Sequence, residues 1–201
     1  MNRTRTILYT LLAAALCLSA CKEENDPDEE YVNWQARNAT FFNHLSDSVK
    51  ALTDENPART DWKRIKAWTK PESAAGSNAD YIVVKVLRSA TAEQQAQGCP
   101  LYTDSVAMNY RGRLLPSESY SEGYVFDQSY YGTFDPDTSR PAEFLVSDLV
   151  TGFSTALMHM HKGDHWRVYI PQELGYGASA VSSIPGYSTL IFDLMLDDFK
   201  H

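Results

Sequence analysis

Cysteine is nearly absent from this chain. Its 201 residues hold three, at positions 17, 21 and 99, too few for a disulfide framework. Positive charge is short as well. Eighteen Lys and Arg face 26 Asp and Glu, a formal net charge of −8, which argues against nucleic acid or an anionic membrane as a binding partner. Past residue 20 no apolar run is long enough to cross a bilayer, and no segment repeats. Metal-ligand spacing is also wanting. His159, His161 and His165 cluster in HMHKGDH, but the first two stand two residues apart, which does not suit a helical site, and no Cys is near. They read as surface polar residues, and neither metal nor cofactor is expected.

Aromatic residues are plentiful: 12 Tyr, 8 Phe and 4 Trp. They supply enough large apolar surface for a core held without disulfides. The first residues stand apart from that core. Arg3 and Arg5 form a basic start, Ile7 to Leu18 is apolar but short for a permanent span, and Leu18-Ser-Ala-Cys21 follows. That order is the signal-peptide pattern, and a Cys directly after Leu-Ser-Ala resembles a bacterial lipobox. The resemblance implies a signal over residues 1–20, with Cys21 acylated and anchoring the protein to a membrane. Loss of the signal leaves Cys99 as the one free thiol and 16 basic against 26 acidic residues. Residues 21–30, KEENDPDEE after the Cys, form an acidic tether. An acidic run in that place resembles a surface-export signal. The expected location is the outer membrane, facing the periplasm or exposed on the cell surface.

Residues 31–78 read as a helical N-terminal extension. Trp34, Phe41, Phe42, Leu45, Val49 and Leu52 form an apolar stripe at helical spacing, so a helix is expected from Tyr31 to Asn56. It packs on the domain or supports weak association, giving a monomer or weak dimer. Arg59 to Lys70 fits a short helix or an extended segment, and Pro71 to Asn78 a linker. From residue 79 to 201 the pattern is β-rich. Tyr81–Leu87, Ser105–Leu115, Tyr124–Ser129, Glu143–Val146, Trp166–Ile170 and Thr189–Leu196 read as strands, and Ser147 to Met160 as the one helix among them. The fold class is therefore α+β, an antiparallel sheet of five to six strands around one short helix.

Seven segments, in order, resemble the FKBP-type peptidyl-prolyl cis-trans isomerase family. They are Met108-Asn-Tyr-Arg-Gly-Arg-Leu114, Val125-Phe-Asp-Gln-Ser129, Phe144-Leu-Val146 with Leu149-Val-Thr-Gly-Phe153, Met160-His-Lys-Gly163, Ile170-Pro171 through Leu174-Gly-Tyr-Gly-Ala178, Ile184-Pro185, and Leu190-Ile-Phe-Asp-Leu194. The resemblance implies an FKBP-like domain that rotates X-Pro bonds and serves as a folding catalyst for exported or envelope proteins. Its substrates would be proline-containing polypeptides and its inhibitors macrolides. It implies Asp127 and Tyr176 as catalytic residues. Substrate would lie among Tyr110, Phe126, Leu149, Val150, Phe153, Ile184 and Phe192, with Phe153 as the floor under the proline ring. The Tyr176 hydroxyl and the Ile184 amide would hold substrate carbonyls.

Three departures from the family pattern stand out. The floor is Phe153 where the family usually has Trp. Ala142 takes the place of an aromatic wall. The loop before Ile184 is one residue short. A non-catalytic peptide-binding module or holdase on the same fold is the alternative reading.

Overall fold

The computed structural model describes residues 30–201. The signal, Cys21 and the acidic tether up to Glu29 lie outside the described residues. Asn33 to His201 group into one unit, and the fold below is that unit's.

Helix α1 runs from Trp34 to Glu55. Among the described residues seven strands follow: β1 (Trp62–Lys66), β2 (Tyr81–Arg88), β3 (Ser105–Arg113), β4 (Val125–Gln128), β5 (Ala142–Leu145), β6 (His165–Ile170) and β7 (Leu190–Lys200). A short helix α2 (Ala92–Gln95) lies between β2 and β3, and α3 (Thr151–Leu157) between β5 and β6. The strands form one sheet in the order β1-β2-β6-β7-β3-β4, with β5 also paired to β3. Every pairing is antiparallel. Long connections between non-sequential neighbours thread the ends of the sheet, and the functional loops sit there.

The strand β1 takes the extended form of the two left open for Arg59 to Lys70, within a stretch, residues 31–78, grouped as a helical extension, and it brings the sheet to seven strands against the five to six expected. Trp62 and Ile65 sit three apart, a spacing that a helix also produces. The backbone is instead extended and pairs with β2 from Trp62↔Lys85 to Lys66↔Tyr81. Lys63, Arg64 and Lys66 make this a charged outer strand, which discourages further strand addition.

The sheet has two covered faces. Val168 pairs with Phe192 and Tyr169 with Ile191, and successive residues of a strand point to opposite sides. Helix α1 covers the Tyr169 side. Phe42 and Val49 pack there on Val83, with Leu45, Trp62 and Tyr169 around them. Polar side chains of the same helix are buried too: Asn38 and Ser46 continue the line of Trp34, Phe42 and Val49. Ser46 donates to Asn78 Oδ1 at 3.0 Å and accepts from Arg64 Nε at 2.8 Å. A hydrophobic pattern does not register these two residues, although they fix the helix on the sheet.

The Val168 side carries the main core: Ile82, Val84, Leu114, Leu157, Trp166, Ile170 and Leu194 are all but inaccessible. Helix α3 crosses this side. A Cβ on Gly152 would stand 2.3 Å from Ile170 Cγ2, so glycine is what lets the helix lie close to β6. The α-helix is shorter than the expected Ser147–Met160. A 3-10 turn spans Val146–Asp148, and Leu149 and Val150 are extended before α3 begins. Leu149 and Val150 therefore do not share a helical face with Phe153. Ser154 Oγ donates to Val146 O at 2.9 Å and ties that turn to the helix.

Candidate functional site

Where α3 stops covering the sheet, a cavity of about 290 Å³ remains. All nine of the catalytic and substrate-binding residues expected from the sequence line it: Tyr110, Phe126, Asp127, Leu149, Val150, Phe153, Tyr176, Ile184 and Phe192. They come from five places. Tyr110 lies on β3 and Phe126 and Asp127 on β4. Leu149, Val150 and Phe153 lead into and belong to α3. Tyr176 and Ile184 sit on the loop between β6 and β7, and Phe192 on β7.

The apolar part is a set of rings packed edge to face. Phe153 and Phe192 have centroids 4.8 Å apart, Phe126 and Phe192 5.4 Å, and Tyr110 and Phe153 6.5 Å. Such arrangements set the positive edge of one ring on the negative face of the next. Gly112 makes room for them. It pairs with both Asp127 and Phe192, and a Cβ there would stand 2.5 Å from the Phe192 ring and 2.6 Å from that of Phe126. Phe153 and Phe192 are each only 4% exposed, so they form a dry floor.

The polar part is small. Tyr110 donates its hydroxyl to Asp127 Oδ2 at 2.9 Å, and Asp127 Oδ1 accepts from the Gln128 amide at 2.9 Å. Burial pushes the Tyr110 hydroxyl well above the ordinary tyrosine range, and the hydrogen bond and charge of Asp127 add to it. Tyr176 is shifted upward as well, by burial first and then by Asp127. Both phenols therefore stay protonated and act as neutral donors. Tyr176 lines the cavity and is 41% exposed.

A family model for FKBP-type peptidyl-prolyl cis-trans isomerases matches residues 99–197. The "Macrophage infectivity potentiator" of Trypanosoma cruzi is 30% identical over 154 residues, covering 76% of this chain and 72% of that protein. The chain belongs to the FKBP-type peptidyl-prolyl cis-trans isomerase family. The FKBP-type 22 kDa isomerase of Escherichia coli is 39% identical over 104 residues, which cover 51% of this chain and 45% of the relative. The chain thus spans about half the length of that curated relative. In fold it is similar to a crystal structure of a peptidyl-prolyl cis-trans isomerase from Pseudomonas syringae, with a TM-score of 0.51 and 23% identity over 79% of this chain and 95% of that one.

Two features of this FKBP-type pocket differ from the sequence reading. An aromatic wall is present after all. Phe144 lines the cavity, its ring 5.7 Å from Tyr110 and edge-on to it. Ala142 was read as the wall position, yet residues two apart on a strand share a side, so Phe144 presents its ring where Ala142 presents a methyl.

The second difference concerns Ile184. Its amide, expected to hold a substrate carbonyl, donates to Val181 O at 2.9 Å, and the Val181 amide donates back to Ile184 O at 2.9 Å. The shortened loop closes on itself as a two-residue hairpin around Ser182 and Ser183, with Ser182 at φ +52°. A substrate carbonyl must compete with Val181 for that N–H. Ser182, Ser183, Val181 and Asp148 also line the cavity and were not singled out from the sequence. Small polar residues in a loop carry no pattern that separates lining from plain turn.

Proposed function

We propose that this chain catalyses rotation about X-Pro peptide bonds, and the observation that carries the reading is the ring-lined cavity with its Tyr110–Asp127 pair at one edge. The barrier to such rotation is about 18–20 kcal/mol, because it breaks amide resonance. A planar amide carries more charge separation than a twisted one. Water stabilises that separation, and a dry aromatic floor does not. A proline ring seated on Phe153 between Phe126 and Phe192 places its amide in this medium, so the planar form loses more solvation than the twisted form. The cavity lies at the lower edge of the about 300–1,000 Å³ usual for small-molecule sites, a size for one prolyl residue and its neighbours. Tyr176 donates to a substrate carbonyl. Asp127 fixes Tyr110 and faces the rotating bond with its charge.

The test is an isomerisation assay on a short Xaa-Pro peptide, comparing wild type with Tyr176→Phe, Asp127→Leu and the double variant. Turnover should fall in each single variant and further in the double. A wild-type rate equal to the double variant's would instead support a peptide-binding module or holdase. That second reading draws support from the engaged Ile184 amide and from Phe153, whose ring offers less contact area than the family's Trp. A macrolide such as the family's inhibitors is expected to compete with the peptide, and binding without turnover would again favour the module.

The same proposal covers setting. The leader and Cys21 support a lipid-anchored protein of the outer membrane, facing the periplasm or the cell surface, acting on exported or envelope proteins. Palmitate labelling of wild type and Cys21→Ser, with protease treatment of intact cells, tests anchor and orientation. Burial of Phe42 and Val49 against the sheet and of Trp34 against the loop before β7 supports a monomer over a weak dimer through this helix, which a sizing measurement checks.

A further inference from the structure

Tyr176 and Ile184 sit on the long loop between β6 and β7, and the cavity lining does not account for what holds that loop. Two of its residues, Ser182 at φ +52° and Tyr187 at φ +64°, adopt left-handed backbone without being glycine. Such conformations persist only where the surroundings over-determine them. Helix α1 supplies that support from behind. Trp34 Nε1 donates to Ser188 Oγ at 2.8 Å, and Ser188 Oγ donates to Pro185 O at 2.6 Å. One turn further along the helix, Asn38 Oδ1 accepts from the Thr189 amide at 2.7 Å, while its Nδ2 donates to Trp34 O at 2.8 Å. Trp34, Asn38, Ser188 and Thr189 are all at most 6% exposed. Pro185 follows Ile184 directly. The Tyr187 amide donates to Gly177 O at 2.9 Å, next to Tyr176. The clamp thus reaches both of the loop residues expected to hold substrate carbonyls.

We propose that Trp34 and Asn38, outside the family-matched region, are positioning residues for the pocket. They hold Pro185–Thr189 so that Ile184 and Tyr176 keep their places at the cavity. This rests on the isomerase reading for its kinetic consequence and on geometry alone for its structural one. Helix α1 also packs apolar residues on the sheet, so a general loss of stability has to be separated from loss of the clamp. Val49 provides the separation. It packs on Val83 of β2, about 16 Å along the helix from Asn38 at 1.5 Å per residue, and makes no contact with the loop through the clamp.

The experiment compares full-length Trp34→Phe, Asn38→Ala, Ser188→Ala, the Trp34→Phe/Ser188→Ala double variant and Val49→Ala. It reads Tm, kcat and KM on an Xaa-Pro peptide, and amide hydrogen exchange over residues 181–189. Trp34→Phe removes the donor and part of the ring system while keeping an aromatic side chain, so it tests the clamp, with its packing loss judged against Val49→Ala, even where Asn38→Ala fails to fold. Losing one neutral hydrogen bond, about 0.5–1.5 kcal/mol, should raise KM roughly two- to tenfold with kcat within about twofold, and speed exchange at Tyr187 and Thr189. In KM and loop exchange the double variant should lose no more than the worse single one, because Ser188→Ala already removes both the Trp34–Ser188 bond and the Ser188–Pro185 bond. Val49→Ala should lower Tm while leaving KM and loop exchange at wild-type values.

Unchanged KM and exchange in Trp34→Phe and Asn38→Ala, additive losses in the double variant, or the same KM rise in Val49→Ala would each overturn the proposal. A wild type without turnover removes the isomerase reading instead. Loop exchange in Trp34→Phe against Val49→Ala then decides the clamp by itself.

Discussion

The two faces of the sheet carry similar aromatic chemistry and meet different fates. On one, Phe41, Trp62 and Tyr169 gather with centroids 6.1 and 6.4 Å apart. On the other, Tyr110, Phe126, Phe153 and Phe192 do the same. What differs is the length of the covering helix. At 1.5 Å per residue the 22-residue α1 extends about 33 Å and packs along its face, where Phe41, Trp62 and Tyr169 stay half-buried, while the seven-residue α3 extends about 10 Å and leaves a cavity lined by buried rings. Rings packed under a helix add to stability, and buried rings that line a cavity are also available to a ligand. A pocket on this fold is thus a matter of where a helix stops.

The largest break in that comparison comes from removing one ring on each face. Phe192→Ala should cost about 3–5 kcal/mol of stability, as for other buried Phe. It should also lower kcat/KM on an Xaa-Pro peptide by about 10- to 100-fold, since about 1.5–3 kcal/mol of apolar contact goes with it. Trp62→Ala on the covered face is only partly buried and should cost about 2–3 kcal/mol with kcat/KM unchanged. Urea unfolding and the peptide assay, run well below both Tm values, check this. Equal activity losses would mean that the faces are not independent.

Gly112→Ala should come next. A Cβ placed against the rings of Phe126 and Phe192 forces them apart, at a cost of about 1–3 kcal/mol. Because the displaced rings are the pocket's own, kcat/KM should fall about tenfold with it. A variant that is destabilised but fully active would show that the Phe126–Phe192 contact is dispensable for turnover.

These residues also mark what the sequence made legible. Large apolar side chains on strands, and a Tyr between glycines, carry strong local pattern, and the nine expected lining residues do meet in one cavity. The parts that escaped depend on partners far along the chain. Phe144 was passed over because Ala142 and Phe144 share a side of β5, and only the pairing with β3 shows which of the two has a ring within reach of Tyr110. Asn38 and Ser46 break the apolar stripe of α1 and only make sense once Thr189 and Asn78 are opposite them. The strand β1 was ambiguous because two apolar residues three apart fit either backbone, and pairing with β2 decides it. The Ile184 amide looked free because a shortened loop does not show in sequence how it will close.

The covered face holds an acid-sensitive element. Asp193 accepts from Arg167 Nε at 2.6 Å and lies 2.6 Å from an Arg113 nitrogen. Burial alone would raise its pKa, yet the bonds from Arg167 and the two guanidinium charges outweigh burial and hold it below the usual carboxylate range. The folded carboxyl then binds fewer protons than the unfolded one, so stability rises with pH across this window. The contribution is complete above the unfolded value, about 3.9, and is lost as pH falls through the folded one. Asp193→Asn should cost about 1–2 kcal/mol at neutral pH, less than the 3–5 of a fully buried pair because Arg167 is partly in water. Its Tm should fall less steeply than wild type below pH 4. Parallel acid limbs would place the sensitivity elsewhere.

The smallest effect is expected at the cavity lip, and its sign is the informative part. Ser182 holds φ +52°, a conformation that costs an L-residue with a side chain about 1–2 kcal/mol and glycine nothing. Glycine also has more freedom to lose from the unfolded chain, about 0.5–1 kcal/mol. The two nearly offset, so Ser182→Gly should stabilise by about 0.5 kcal/mol, a rise in Tm of about 1–2 °C for a domain of this size. The covered face carries no such strain in its strands, and a matching gain is not available there. If Tm falls instead, the serine hydroxyl contributes more to the lip than its backbone costs. The two-residue hairpin would then be held by its side chains rather than by the paired amides of Val181 and Ile184. That result would free the Ile184 N–H to turn toward a substrate carbonyl whenever the hairpin opens, and would move the lip from a fixed wall to a part that adjusts on binding.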